Sequence, residues 1–115
     1  MTDPEFWEME EGFWKNGPEY YMARMANGAV MVYPEPTGIL TGDAILEELE
    51  SRPRWTSVLI DDRVLARDED TVVLAYRARA LVDGGSPYFA TCASTYVGHG
   101  PVWRLLAHNQ TPETE

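Results

Sequence analysis

The side chains best suited to chemistry lie near the end of the chain, where Val102–Pro112 reads V-W-R-L-L-A-H-N-Q-T-P. His108 is the one histidine within an alternating run, and Gln110 follows two positions later, so on a strand both project to one face. If that face is concave, the pair sets an acid–base group beside an amide that both donates and accepts. The same residues fit equally well as a hydrogen-bonded core histidine or a contact between two copies. On a regular strand Trp103 falls on the opposite face from His108 and reads as a packing or interface residue; only a bulge would bring the two together.

Two tyrosines offer proton donors to such a base. In Thr71–Leu81, Val72, Leu74, Tyr76 and Ala78 share one face, leaving Arg77 and Arg79 on the other, which reads as the outer surface. In the next segment Tyr88, Ala90, Cys92, Ser94 and Tyr96 share a face, and small residues among tyrosines suit a cavity wall or a filled core alike. Glu35, held between Pro34 and Pro36, is either a second candidate base or an exposed loop acid. Cys92 has no base placed beside it by the sequence and reads as structural. His99, in Gly-His-Gly, reads as a turn residue. One cysteine and two separated histidines make no metal-ligand cluster, and no motif calls for a cofactor.

These residues need a scaffold, and the chain divides cleanly into a helical half and a strand half. Asp3 before Pro4, or Thr2 with Glu5 as a capping box, opens a helix running to Asn16. Phe6, Met9, Phe13, Trp7 and Trp14 form its apolar face, with Glu8, Glu10 and Glu11 assigned to the other side. Pro18 starts a short second helix, closed by a turn at Asn27-Gly28. Ala29–Tyr33 is a compact β run, and Thr41 caps a third helix from about Gly42 to Ser51. After Trp55 the period becomes that of strands: Ser57–Arg67, Thr71–Leu81, Tyr88–Val97 and Val102–Thr111, joined by Gly- and Asp-rich hairpin loops into an antiparallel meander. A sheet of this length must cover its apolar face, and the helices of the first half are what is available, giving an α+β architecture.

Charge excludes some functions. The net charge is -10, and the first 50 residues carry eleven acidic and two basic side chains. Such a surface repels phosphate backbones and anionic lipid, so neither nucleic acid nor membrane is an expected partner. There is no basic, apolar leader and no membrane-length apolar run, so a cytoplasmic location is expected.

Three stretches carry a resemblance: Phe6-Trp7 through Phe13-Trp14, Val30-Met31-Val32-Tyr33-Pro34 leading to Gly38, and Trp103 to Pro112. With the order of elements, they resemble the nuclear transport factor 2-like superfamily, in particular its uncharacterised polyketide-cyclase- and ketosteroid-isomerase-like (SnoaL-like) branch. The resemblance implies one domain over residues 1–112, with 113–115 as a disordered tail, in which a curved antiparallel sheet wraps the helices into a cone. It also implies a pocket at the open end and a homodimer on the outer sheet face. Trp14, Tyr21, Tyr33, Tyr76, Ser94, Tyr96, His108 and Gln110 are then the expected ligand-binding residues, with Met31 and Trp55 as further lining.

The isomerase pattern is broken at a specific place. Where those enzymes carry a catalytic aspartate before the proline that follows the first strand, this chain has Tyr33, and neither Thr71–Leu81 nor Tyr88–Val97 holds a carboxylate. The leading expectation is therefore a binding domain for a small hydrophobic or aromatic molecule. The alternatives are a cofactor-free isomerase, cyclase or dehydratase, with His108 or Glu35 as base and Tyr76 or Tyr96 as proton donor, and a non-catalytic dimerisation or interaction module.

Overall fold

The computed structural model describes residues 1–113. Three helices, α1 (Asp3–Lys15), α2 (Pro18–Arg24) and α3 (Asp43–Glu50), accompany six strands: β1 (Met25–Val32), β2 (Ile39–Thr41), β3 (Ser57–Asp68), β4 (Thr71–Leu81), β5 (Tyr88–His99) and β6 (Val102–Pro112). All six belong to one sheet of order β2-β1-β6-β5-β4-β3. The last four form the expected antiparallel meander, and β1 joins it parallel to β6, so the curved sheet is mixed.

Local chemistry explains the helix ends. Of the two possible caps for α1 the capping box forms: the Glu5 N–H donates to Thr2 Oγ1 at 3.4 Å and the Thr2 N–H donates to the Glu5 carboxylate at 2.9 Å. At α3 the cap is Gly42 rather than the expected Thr41, with φ 53° and no side-chain hydrogen bond. Asn27-Gly28 does not end α2 in a turn. The chain enters β1 directly, and Gly28, at φ 76°, lies in an irregular stretch across which five steps on β1 match two on β6. A three-residue strand such as β2 is too short to leave a periodic signal, and it was not expected. His99 ends β5 opposite Val102 rather than sitting in the turn.

The concave face is filled by α1. Phe6, Trp7, Phe13 and Trp14 are buried against Val72, Leu74, Tyr76 and Ala78 of β4 and Tyr96 of β5, while Arg77 and Arg79 are exposed on the outer face. Fully burying a side chain such as Phe6 is worth about 1.5–3 kcal/mol. Its ring also meets Tyr96 and Trp103 edge-on at 5.5 and 5.2 Å.

One bulge corrects the reading of β6. Tyr96 pairs with Leu105 and Thr95 with Ala107, leaving Leu106 without a partner. The extra residue resets the alternation, so Trp103 and Leu105 share the inner face with His108 and Gln110, and Trp103 is a core contact of Phe6. At the other end of β6 the chain stays on the sheet: the Glu113 N–H donates to the Phe89 carbonyl at 2.8 Å. The remaining two residues of the expected tail lie outside the described residues. No described helix is long and apolar enough to cross a membrane.

Candidate functional site

A cavity of about 310 Å³ opens between the end of α1, the ends of β1 and β6, the loop 34–37 and the segment that follows α3. Its apolar walls are Phe13 and Trp14 of α1, Met31 of β1, Leu49 of α3, Trp55 and Leu105. Trp55 stacks on Tyr88 with ring centres 5.5 Å apart and planes 11° from parallel, making one flat aromatic wall. His108 and Gln110 supply the polar end, and Glu35, Glu48, Arg52 and Arg54 stand around the opening.

The rim is anchored by Arg54. Its guanidinium donates to the carbonyls of Phe13, Trp14 and Asn16, each at 2.8 Å, so it satisfies the open end of α1 and counters the negative end of the helix dipole. The cavity mouth and the last turn of α1 are thereby one unit.

Behind the polar end lies Glu10, 1% exposed. Its Oε2 accepts from the hydroxyls of Tyr76 and Ser94, the latter at 2.6 Å, and its Oε1 accepts from Tyr96 at 2.6 Å. Trp14 Nε1 donates to the Tyr76 hydroxyl at 2.9 Å, extending the network back to α1. Burial pushes the Glu10 carboxyl up, but hydrogen bonding and charge from His108, together with hydrogen bonds from Ser94 and Tyr76, outweigh it and hold the group below its ordinary 4.5. Glu10 is therefore a carboxylate, an acceptor only.

That fixes the proton positions next to it. Ser94 has one hydroxyl proton and gives it to Glu10, so at the 2.6 Å contact between Ser94 Oγ and His108 Nδ1 the imidazole must donate. On the other side of the ring His108 Nε2 lies 3.1 Å from the Gln110 amide nitrogen, and Gln110 Oε1 accepts from the Tyr88 hydroxyl at 3.0 Å. Strand pairing builds this arrangement: Ser94 lies opposite His108, and Cys92 opposite Gln110, across the β5–β6 ladder. The His108 Nδ1 to Glu10 Oε2 distance is 3.5 Å.

The expected site residues thus separate into two groups. Trp14, Tyr21, Tyr33, Glu35, His108 and Gln110 line the cavity, as do Met31 and Trp55. Tyr76, Ser94 and Tyr96 are not on its wall; they are buried around Glu10, a position set by the inward fall of β4 and β5 onto the carboxylate. Burial, then Glu10, pushes the Tyr76 and Tyr96 phenols well above 10, so both act as neutral donors to the carboxylate. Glu35 is exposed at the mouth. Burial pushes Tyr33 up to about 12, so it too is a neutral phenol. Glu10 corrects the sequence reading, which put it on the outer side of α1. Its signal was positional: it stands four residues after Phe6 and three before Phe13, in the middle of the apolar stripe. Among the described residues, no group of three or more His, Cys, Asp or Glu could hold a metal ion.

No family model and no curated protein matches the sequence. Solved structures do. An NTF2-like protein of Cytophaga hutchinsonii superposes with a TM-score of 0.81 at 13% identity, covering 98% of this chain and 100% of that one. A ketosteroid isomerase-like protein of Parabacteroides distasonis gives 0.80 at 12% identity, covering 98% and 89%. A protein of Exiguobacterium sibiricum described as resembling a calcium/calmodulin-dependent kinase II association domain gives 0.81 at 11% identity, covering 97% and 91%. Six strands in this order around α1, with near-complete coverage of proteins so distant in sequence, give the chain the nuclear transport factor 2-like fold.

Proposed function

We propose that the domain binds a small, flat, largely apolar molecule, its ring system against the Trp55–Tyr88 wall and its polar end at Gln110 and His108, and that it belongs to the polyketide-cyclase-like branch. The observation that carries this is the cavity itself: about 310 Å³, walled by aromatic and aliphatic side chains, with two convergent polar groups. Ligand sites combine an apolar lining with a few placed polar groups, and this volume suits a ligand of about two fused rings. The open space also weighs against a module whose cone is filled by its own side chains.

Native mass spectrometry of the purified protein and calorimetric titration with 5-nitroindazole, a flat bicyclic probe, test the proposal. A bound mass or saturable binding that weakens about tenfold in Trp55→Ala is expected from the loss of one aromatic wall, worth roughly 1.4 kcal/mol. Neither adduct nor binding would refute it.

A second reading, catalysis by a cofactor-free isomerase, cyclase or dehydratase, is favoured by the carboxylate placed behind His108. We also propose a cytoplasmic homodimer formed through the outer sheet face. The exposed Leu59, Val64 and Val102 on that face support the dimer, and the unpaired Cys92 supports the location. Light scattering at micromolar concentration checks it, and a monomer would end it.

A further inference from the structure

We infer that the cavity takes an organic cation: a flat aromatic ring system carrying one positive charge, held among the rings of Trp14, Trp55 and Tyr88, with the carboxylate of Glu35 at the mouth as its counter-charge. The inference rests on the proposal that the cavity binds a small flat molecule, and it narrows that molecule to the positively charged class.

The walls are the first reason. Trp14, Trp55 and Tyr88 all line the cavity. Trp14 is tilted by 54° to Trp55 and by 44° to Tyr88, with ring centres 6.3 and 6.4 Å away, so the three rings meet as a corner of π surface. The negative face of an aromatic ring attracts a cation, indole most strongly, and the attraction grows where water is excluded. Burial pushes the phenols of Tyr33 and Tyr88 up to about 12, so these rings enter the lining neutral. The lining already accepts one cation of the chain itself: the Arg54 guanidinium carbon lies over the Tyr21 ring, 5.9 Å from its centre.

The charges around the cavity are the second reason, because each positive group already faces a negative one while one carboxylate stands alone. Arg52 Nε lies 2.6 Å from Glu48 Oε2, and its Nη2 donates to Thr37 Oγ1 at 2.9 Å. The Arg54 guanidinium is turned onto the carbonyls of Phe13, Trp14 and Asn16, the negative end of the α1 dipole. His108 Nδ1 lies 3.5 Å from Glu10 Oε2, so that pair sums to zero when the imidazole is protonated and to a negative charge when it is not. Glu35 lies exposed at the mouth and, among the described residues, forms no salt bridge. The potential at the cavity is therefore negative, and the net charge of -10 on the chain adds to it. An entering anion would meet Glu35 and no free guanidinium, and a neutral ring would gain nothing from the carboxylate.

Three probes on one bicyclic frame separate the charge classes: N-methylquinolinium is cationic, 1-methylnaphthalene neutral and 1-naphthoate anionic. In calorimetric titration of the full chain the cation is expected to bind about tenfold tighter than the neutral compound, with the anion weakest. Salt should weaken binding of the cation and leave that of 1-methylnaphthalene unmoved. Trp55→Leu keeps an apolar wall but removes the indole face, so it lowers the affinity for the cation about tenfold and that for 1-methylnaphthalene by less than about threefold. Glu35→Gln, at an exposed position that leaves the core untouched, lowers the affinity for the cation about threefold and leaves that for 1-methylnaphthalene unchanged. A cation that binds no tighter than 1-methylnaphthalene, or a tightest-binding 1-naphthoate, overturns the charge assignment and leaves the binding proposal standing. A preference for the cation that survives both substitutions undiminished overturns the roles given to Trp55 and Glu35. Failure of all three probes and of 5-nitroindazole to bind overturns both proposals.

Discussion

Trp103 and His108 face the same side of β6, although a separation of five positions would set them on opposite sides of a regular strand. Leu106, without a partner on β5, makes up the difference. One unpaired residue thus puts the ring that packs on Phe6 and the imidazole that faces the cavity on a single surface.

Deletion of Leu106 restores strict alternation and forces one group or the other outward. Loss of Trp103 and Leu105 from the core removes on the order of 4 kcal/mol, whereas Leu106→Ala, which keeps the residue count, costs about 1 kcal/mol. Urea unfolding of the two variants side by side measures the contrast. Equal losses would mean that the bulge has no part in setting the face.

The Glu10 carboxyl gives the protein a specific acid sensitivity. Its value in the folded protein is lower than the ordinary 4.5, so as pH falls the unfolded chain takes up the proton first. The stability contributed by the ionised group is complete above about 4.5 and is lost progressively as pH falls toward and through the lower folded value. Urea midpoints followed from about pH 6 to about pH 3 should fall more steeply for the wild type than for Glu10→Gln. Parallel curves would show that the unfolding does not involve this carboxyl.

Gly12→Ala has a sign opposite to the usual one. Glycine to alanine inside a helix ordinarily stabilises by about 0.5–1 kcal/mol. Here an added Cβ would collide with the Tyr20 hydroxyl, which donates to the Met9 carbonyl at 3.0 Å. The side chain must leave, breaking that bond and its edge-on contact with Phe13 at 5.0 Å. A net loss of about 1–2 kcal/mol is expected, and Tyr20→Ala should make Gly12→Ala favourable again. A stabilising single substitution would contradict the close approach.

Cys92 should be inert in the folded protein. Burial, then the Glu10 charge, pushes its thiol up to about 12, which at pH 8 leaves roughly one molecule in ten thousand as thiolate. Reaction with an aromatic disulfide reagent is expected to be at least a thousandfold slower in buffer than in urea, and to accelerate in any variant that destabilises the fold. Rapid labelling of the native protein would refute the burial of this strand.

The sequence was legible where periodicity and burial agree. The alternation of Val72, Leu74, Tyr76 and Ala78, and of Tyr88 through Tyr96, gave the inner faces of β4 and β5, because both strands are regular there. Facing failed on β6 because an unpaired Leu106 leaves no mark on residue types. Glu10 was misplaced for a different reason: polarity argues for solvent, and only the hydroxyls of Tyr76, Ser94 and Tyr96, more than sixty residues away, make its burial tolerable. From the sequence those same hydroxyls read as cavity lining, since an inward polar group on a strand does not reveal whether it meets a ligand or another side chain. Arg54 escaped notice because its partners are backbone carbonyls, which carry no sequence signature.

The parallel pairing of β1 with β6 has a kinetic meaning. Met31 lies opposite His108, so the strand that carries one cavity wall is docked by a partner separated from it by most of the chain. The meander of β3 to β6 is assembled from neighbouring hairpins and can form early, whereas β1, β2 and the helices joined to them gain their hydrogen-bonded place only after β6 exists. During synthesis the aromatic face of α1 therefore emerges long before the strands that cover it, and the cavity is the last part of the molecule to acquire its shape.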